Sequence, residues 1–137
     1  ENINSKEFVE CVSKYECNLF VSMSFNQIFK KEIINLPNLK TINCHAGKLP
    51  FYRGRNILNW ALINDEKEFG ITVHFVDEGI DTGPIITQGL VEIDDNDTEE
   101  SLIQKIHQKE HEILPKAIQL ISEDRCILDG RRVLIKS

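Results

Sequence analysis

Thr41-Ile42-Asn43-Cys44-His45 is the stretch on which the fold turns. It follows a proline break at Leu36-Pro37-Asn38 and begins with β-branched residues, so it reads as a short buried strand that runs into polar residues. Side chains alternate along a strand, which puts Asn43 and His45 on one face and Cys44 on the other. Two polar side chains on one face of a buried strand must find partners or bind something.

Working outward, Leu19-Phe20-Val21-Ser22-Met23 is a second short apolar run of strand length, and Phe29 to Ile34 reads as a short helix. At the start of the chain, Asn4 with Glu7 three residues on has the form of a capping box. It opens a helix carrying Phe8, Cys11, Val12 and Tyr15 at helical spacing. Downstream lies a loop with Gly47, Pro50 and Gly54, and then a helical stretch from Ile57 to Leu62. Phe69 to Val76 alternates, with Ile71, Val73 and Phe75 on one face and Thr72 and His74 on the other, as a strand does. His74 reads there as a structural residue rather than a base.

A turn-rich segment, Asp77 to Pro84, leads into a strand from Ile85 to Ile93. Asp97 with Glu100 is expected to open the longest helix, apolar at Leu102, Ile103, Ile106, Ile113, Leu114, Ala117, Ile118 and Ile121, with a kink at Pro115. Asp129-Gly130 between short apolar stretches predicts a terminal hairpin. Strands alternating with helices predict an α/β fold with a ligand site at the carboxyl ends of the strands.

Composition narrows the function. The 137 residues fit one domain, 1–137, and 41% hydrophobic content supports a core. Sixteen Lys and Arg against twenty-two Asp and Glu give a net charge of −6, which argues against a nucleic-acid backbone as main partner. No apolar run reaches the ~18 residues of a membrane span. With no signal-peptide pattern in the sequence, a cytoplasmic location is expected. Four cysteines without C-x-x-C spacing predict reduced thiols rather than a zinc or redox pair. His107-x-x-Glu110-His111 has the form of an inverted zinc-protease signature, but the acidic residues that could complete it follow too closely, and no metal is expected.

The chemistry-bearing constellation is Asn43-x-His45 at a strand end, followed by Asp81 in a glycine-flanked turn. An amide donor beside an imidazole stabilises an oxyanion, and a carboxylate nearby orients or charges that imidazole. On spacing alone, polar residues that merely satisfy loop backbone remain the stronger alternative.

Four blocks in order carry a resemblance. They are Ile42-Asn43-Cys44-His45, Leu49-Pro50-x-Tyr52-Arg53-Gly54, Gly70-Ile71-Thr72-Val73-His74 and Asp81-Thr82-Gly83-Pro84-Ile85-Ile86. Together they resemble the folate-dependent formyltransferases, which act on glycinamide ribonucleotide, methionyl-tRNA or nucleotide sugars. The resemblance implies a Rossmann-like, mostly parallel sheet flanked by helices and transfer of a formyl group from 10-formyltetrahydrofolate to a primary amine. It puts the family's catalytic Asn, His and Asp on Asn43, His45 and Asp81. Folate contacts fall on Asn26, Gln27, Ile28 and Phe29 and on the segment from Asp77 through Gly79 and Ile80 to Asp81. No metal or covalent enzyme intermediate is required.

Substrate choice divides between blocks. Tyr52-Arg53-Gly54-Arg55-Asn56 with Asn59-Trp60 resembles enzymes that formylate a 4-amino sugar on a nucleotide, with Arg53 as a substrate contact. Glu110-His111 followed by Pro115 resembles the glycinamide ribonucleotide enzymes, in which that Glu helps hold the amine. The loop beside the catalytic strand carries more weight, so the nucleotide-sugar amine is the leading expectation. The partner is then a small-molecule amine, with no nucleic acid and no membrane.

The family's opening strand and Gly-rich turn are absent, which predicts that the first strand-helix-strand unit, roughly sixty residues by the size of such a unit, is missing. An incomplete sheet exposes an edge and favours self-association as a homodimer. A catalytically inactive folate- or nucleotide-binding module is the non-enzyme alternative.

Overall fold

The computed structural model describes residues 2–23, 29–37, 39–47, 49 and 57–136, without the side chains of residues 57, 59 and 60. In chain order the elements are α1 (Lys6–Ser13), β1 (Phe20–Met23), α2 (Lys31–Ile34), β2 (Thr41–His45) and α3 (Ile57–Ile63). They continue as β3 (Glu68–Phe75), β4 (Ile85–Glu92), α4 (Glu99–Ser122), β5 (Cys126–Asp129) and β6 (Arg132–Ile135).

The architecture is α/β, with a Rossmann-like sheet of order β1-β2-β3-β4 and a separate β5-β6 hairpin. Within the described residues the pairing is mixed. β1 and β2 are parallel, whereas β2–β3 and β3–β4 are antiparallel. The reason at β3–β4 is chain length. The 76–84 connection is shorter than the dozen or more residues that a parallel crossover needs, so the neighbours must form a hairpin.

One face of the sheet is covered by α4. Leu102, Ile106, Ile113, Ala117 and Ile121 are its buried residues, and they join Ile42, Cys44, Ile71 and Val73 in one cluster. Fully burying each Leu, Ile or Val of this cluster contributes about 1.5–3 kcal/mol. Gly89 on β4 allows the close approach. A Cβ there would lie 2.6 Å from Lys109 Cδ and 3.2 Å from Ile113 Cγ2 on α4. α4 runs unbroken through Pro115, which lies on its exposed side where water can replace the lost backbone bond.

Both expected caps are corrected by one residue. Ser5, not Asn4, caps α1 by accepting from Phe8 N at 3.2 Å. Asn4 Oδ1 instead accepts from Lys30 N at 2.8 Å and ties the chain start to α2. α1 itself buries no residue, and Tyr15 is exposed, so the apolar stripe expected there covers no core. α4 is capped by Thr98 in a reciprocal box with Ser101, and Asp97 supports that box by accepting from Ser101 Oγ at 2.7 Å. The terminal hairpin forms as expected, turning at Gly130 with φ 62°.

Candidate active site

The site is built on the face of β2 turned away from α4. In the antiparallel register Asn43 pairs with His74 and His45 with Thr72, so four polar side chains line neighbouring positions of one face. Asp81 enters from the 76–84 connection with a left-handed backbone, φ 52°.

Their distances define one cluster. Asp81 Oδ2 lies 3.4 Å from His45 Nδ1, and Asp81 Oδ1 lies 3.6 Å from His74 Nε2. Asn43 Nδ2 lies 3.5 Å from Asp81 Oδ1 and 3.4 Å from His74 Nε2. The cluster is largely enclosed, with side-chain exposures of 10% for His45, 3% for His74 and 14% for Asp81.

Elementary hydrogen-bond chemistry fixes the orientations. His74 Nδ1 is 2.8 Å from Phe75 O, a group that only accepts, so Nδ1 carries the proton. His74 Nε2 faces the Asn43 amide nitrogen and the Asp81 carboxylate. Turning the Asn43 amide over would set its oxygen against the Asp81 carboxylate, so Nδ2 is the atom that faces inward. Among the described residues, Asn43 Oδ1 is buried without a hydrogen-bond partner, as is Ser22 Oγ on the neighbouring strand. The contacts of Asn43 Nδ2 are long for hydrogen bonds, and a stronger acceptor can displace them.

Thr72 organises the chain leaving His45. Its fully buried hydroxyl donates to Gly47 O at 2.7 Å and accepts from Leu49 N at 3.2 Å. Gln88 Nε2 on β4 donates to Thr72 Oγ1 at 3.0 Å and to Leu49 O at 2.7 Å. The segment beyond His45 is thereby pinned to two strands at once.

The 77–82 segment is organised by Asp77. Its Oδ1 accepts from Gly79 N at 2.9 Å and from Thr82 Oγ1. Burial works to raise the Asp77 pKa, but these bonds and the Arg131 guanidinium outweigh it and hold the carboxyl below its ordinary range. Ile80, at the middle of the segment, is exposed. Behind it, Gly83 is required. A Cβ there would stand 1.7 Å from Phe75 O.

The structure therefore brings Asn43, His45 and Asp81 together and sets Asp77, Gly79 and Ile80 beside them on the Asp81 segment. Phe29 is half-buried just before α2. Asn26, Gln27, Ile28 and Arg53 lie outside the described residues. Glu110 stands on α4, within electrostatic range of Cys44 on the opposite face of β2. Burial, with the Glu110 charge adding to it, pushes the Cys44 thiol up to about 12. Among the described residues no group of three or more His, Cys, Asp or Glu could hold a metal ion, and no helix is long and apolar enough to cross a membrane.

His74 is the member that sequence reasoning set aside as structural. Its alternation placed it on the Thr72 face, but only the register with β2 puts it opposite Asn43.

An Asn, His and Asp converge beside a glycine-flanked turn on an α/β sheet, and comparison with known proteins identifies the family. The family model described as "Formyl transferase" matches residues 1–118, and the chain belongs to that family. It is 38% identical over 118 residues to a methionyl-tRNA formyltransferase of Clostridioides difficile, covering 86% of this chain and 38% of that protein. It is 34% identical over 125 residues to the bifunctional polymyxin resistance protein ArnA of Wigglesworthia glossinidia brevipalpis, covering 91% of this chain and 19% of that one. The chain thus spans well under two thirds of these relatives. Among solved structures it matches glycinamide ribonucleotide transformylase 1 from Symbiobacterium toebii with a TM-score of 0.89 at 34% identity, over 96% of this chain and 62% of that one.

Proposed function

We propose that this chain transfers a formyl group from 10-formyltetrahydrofolate to a primary amine through Asn43, His45 and Asp81. The observation that carries this reading is the approach of His45 and Asn43 to one carboxylate, at 3.4 and 3.5 Å.

The amine nitrogen attacks the formyl carbon, and negative charge builds on the formyl oxygen. Asn43 Nδ2 exchanges its long contacts for a short bond to that oxygen. With Nδ1 of His45 turned to Asp81, Nε2 is the nitrogen that serves the reacting group. It protonates the folate nitrogen as the carbon–nitrogen bond breaks. Asp81 orients the imidazole and, directly or through water, takes the proton lost by the attacking amine. The products are a formamide and tetrahydrofolate, and no atom is left unbalanced.

For the amine, the reading is a 4-amino group on a nucleotide-linked sugar, supported by the sequence resemblance of the Tyr52-Arg53-Gly54-Arg55-Asn56 block. A second reading, glycinamide ribonucleotide, is favoured by Glu110 and by the 34% identity to a transformylase of that substrate. The net charge of −6 disfavours a tRNA carrier despite the methionyl-tRNA relatives. A cytoplasmic location is part of the proposal.

The test offers 10-formyltetrahydrofolate with each amine in turn and follows tetrahydrofolate release and formamide formation. Product with nucleotide 4-amino sugars alone supports the first reading, and product with glycinamide ribonucleotide alone selects the second. Folate binding with no product from any amine would leave an inactive binding module.

A further inference from the structure

We propose that Arg131, at the tip of the β5–β6 hairpin, is a positioning residue for Asp81: it clamps the 77–82 segment and so sets the carboxylate that faces His45. The hairpin lies beyond residue 118, the last residue matched by the family model, so this clamp comes from outside the matched region.

The contact joins two points of the segment. The Arg131 guanidinium donates to Thr82 O, next in sequence to Asp81, and its Nη2 lies 3.5 Å from Asp77 Oδ2. Asp77 in turn ties Gly79 N and Thr82 Oγ1 together, so the beginning and the end of the segment meet at one carboxylate. Arg131 engages both ends at once. Nη2 makes both contacts, and its two hydrogens lie in the fixed plane of the guanidinium, an orientation that the freely rotating ammonium of lysine does not hold.

The base of the segment is held elsewhere. Phe75 N donates to Pro84 O at 2.8 Å, and Phe75 O fills the space where a side chain at Gly83 would project. Between these anchor points Asp81 holds a left-handed backbone, φ 52°. A non-glycine residue stays in that conformation only when its surroundings determine it. Gly130, at φ 62°, makes the hairpin turn that precedes Arg131. An exposed ion pair alone contributes little. The added bond to a backbone carbonyl is what makes this contact directional.

The kinetic part of the proposal rests on the formyl-transfer reading, and the test separates the two. Hydrogen exchange of residues 76–84 and the His45 ring resonances are measured in the full chain and in Arg131→Ala and Arg131→Lys. Formyl transfer is measured alongside. Arg131→Ala is expected to speed exchange in 76–84 about threefold to tenfold, the effect of one lost charge-assisted bond at a partly exposed site. It should shift the His45 resonances and leave β3 and α4 amides unchanged. In an active chain kcat falls by a similar factor with little change in KM for the amine, and Arg131→Lys recovers part of each effect. Unchanged exchange in 76–84, unmoved His45 resonances, or exchange rising equally in β3 and α4 would overturn the clamp. A wild-type chain inactive toward every amine, with the exchange and His45 changes as expected, sinks the formyl-transfer reading and keeps the clamp.

Discussion

Asp81 faces His45 across 3.4 Å, Oδ2 to Nδ1, from a turn in which its own backbone is left-handed at φ 52°. The carboxylate that orients the imidazole is thus delivered by a conformation that few residues adopt, Asp and Asn among them. Side chain and backbone make separate demands at this one position. Asp81→Asn keeps the backbone preference and removes the charge. It should fold with unchanged stability and lose about 10²-fold or more in formyl-transfer rate. Asp81→Ala should lose the same activity and an additional ~1 kcal/mol of stability, read from paired denaturant midpoints.

His74 completes the polar cluster from β3, with Nε2 3.4 Å from the Asn43 amide nitrogen while Nδ1 donates to Phe75 O. Replacing it with Ala removes a buried ring and strips the Asn43 amide of a partner. The expected cost is about 2–4 kcal/mol in stability from cavity and lost hydrogen bonding. The expected fall in kcat is about tenfold to a hundredfold, less than from removing the oxyanion donor itself. Urea unfolding and steady-state rates on the same preparation check both.

The cysteines divide by environment. Cys44 is buried and its thiol is pushed up to about 12, so at pH 8 it stays protonated and is a poor nucleophile. Cys11 and Cys17 are exposed. Iodoacetamide under native conditions should alkylate Cys11 and Cys17 and spare Cys44 until the chain is unfolded, as peptide mapping will show.

Asp97 gives stability a dependence on acid. The hydrogen bond from Lys105, at 2.6 Å, leads in lowering its pKa to about 2, with bonds from Ser101 and Asp94 adding to it. The folded value lies below the ordinary value of 3.8. The contribution is therefore fully present above about pH 4 and is lost as pH falls toward 2. Asp97→Asn should flatten the stability profile across that window and leave the slope above pH 5 unchanged, measured by thermal unfolding at stepped pH.

Much of this was legible in the sequence because it depends on local periodicity. The alternation of Ile71, Val73 and Phe75 with Thr72 and His74 located β3 and its two faces, and the spacing of Asn43 and His45 placed them together. What escaped depends on contacts distant along the chain. Asn4 looked like a cap, but its side chain is taken by Lys30, twenty-six residues away. His74 became part of the site only through the antiparallel register with β2. The clamp of Arg131 on Thr82 spans forty-nine residues and leaves no periodic signal in either segment.

The most direct measurement is the single-turnover rate of formyl transfer by Asn43→Ala beside the unaltered chain, with folded-state content matched by circular dichroism. Loss of the amide donor should slow the chemical step by about 10²–10³, roughly 2.7–4 kcal/mol, while folate affinity changes little. Equal rates for the two proteins would contradict the account, since the amide of Asn43 would then have no part in holding the charge that formyl transfer creates.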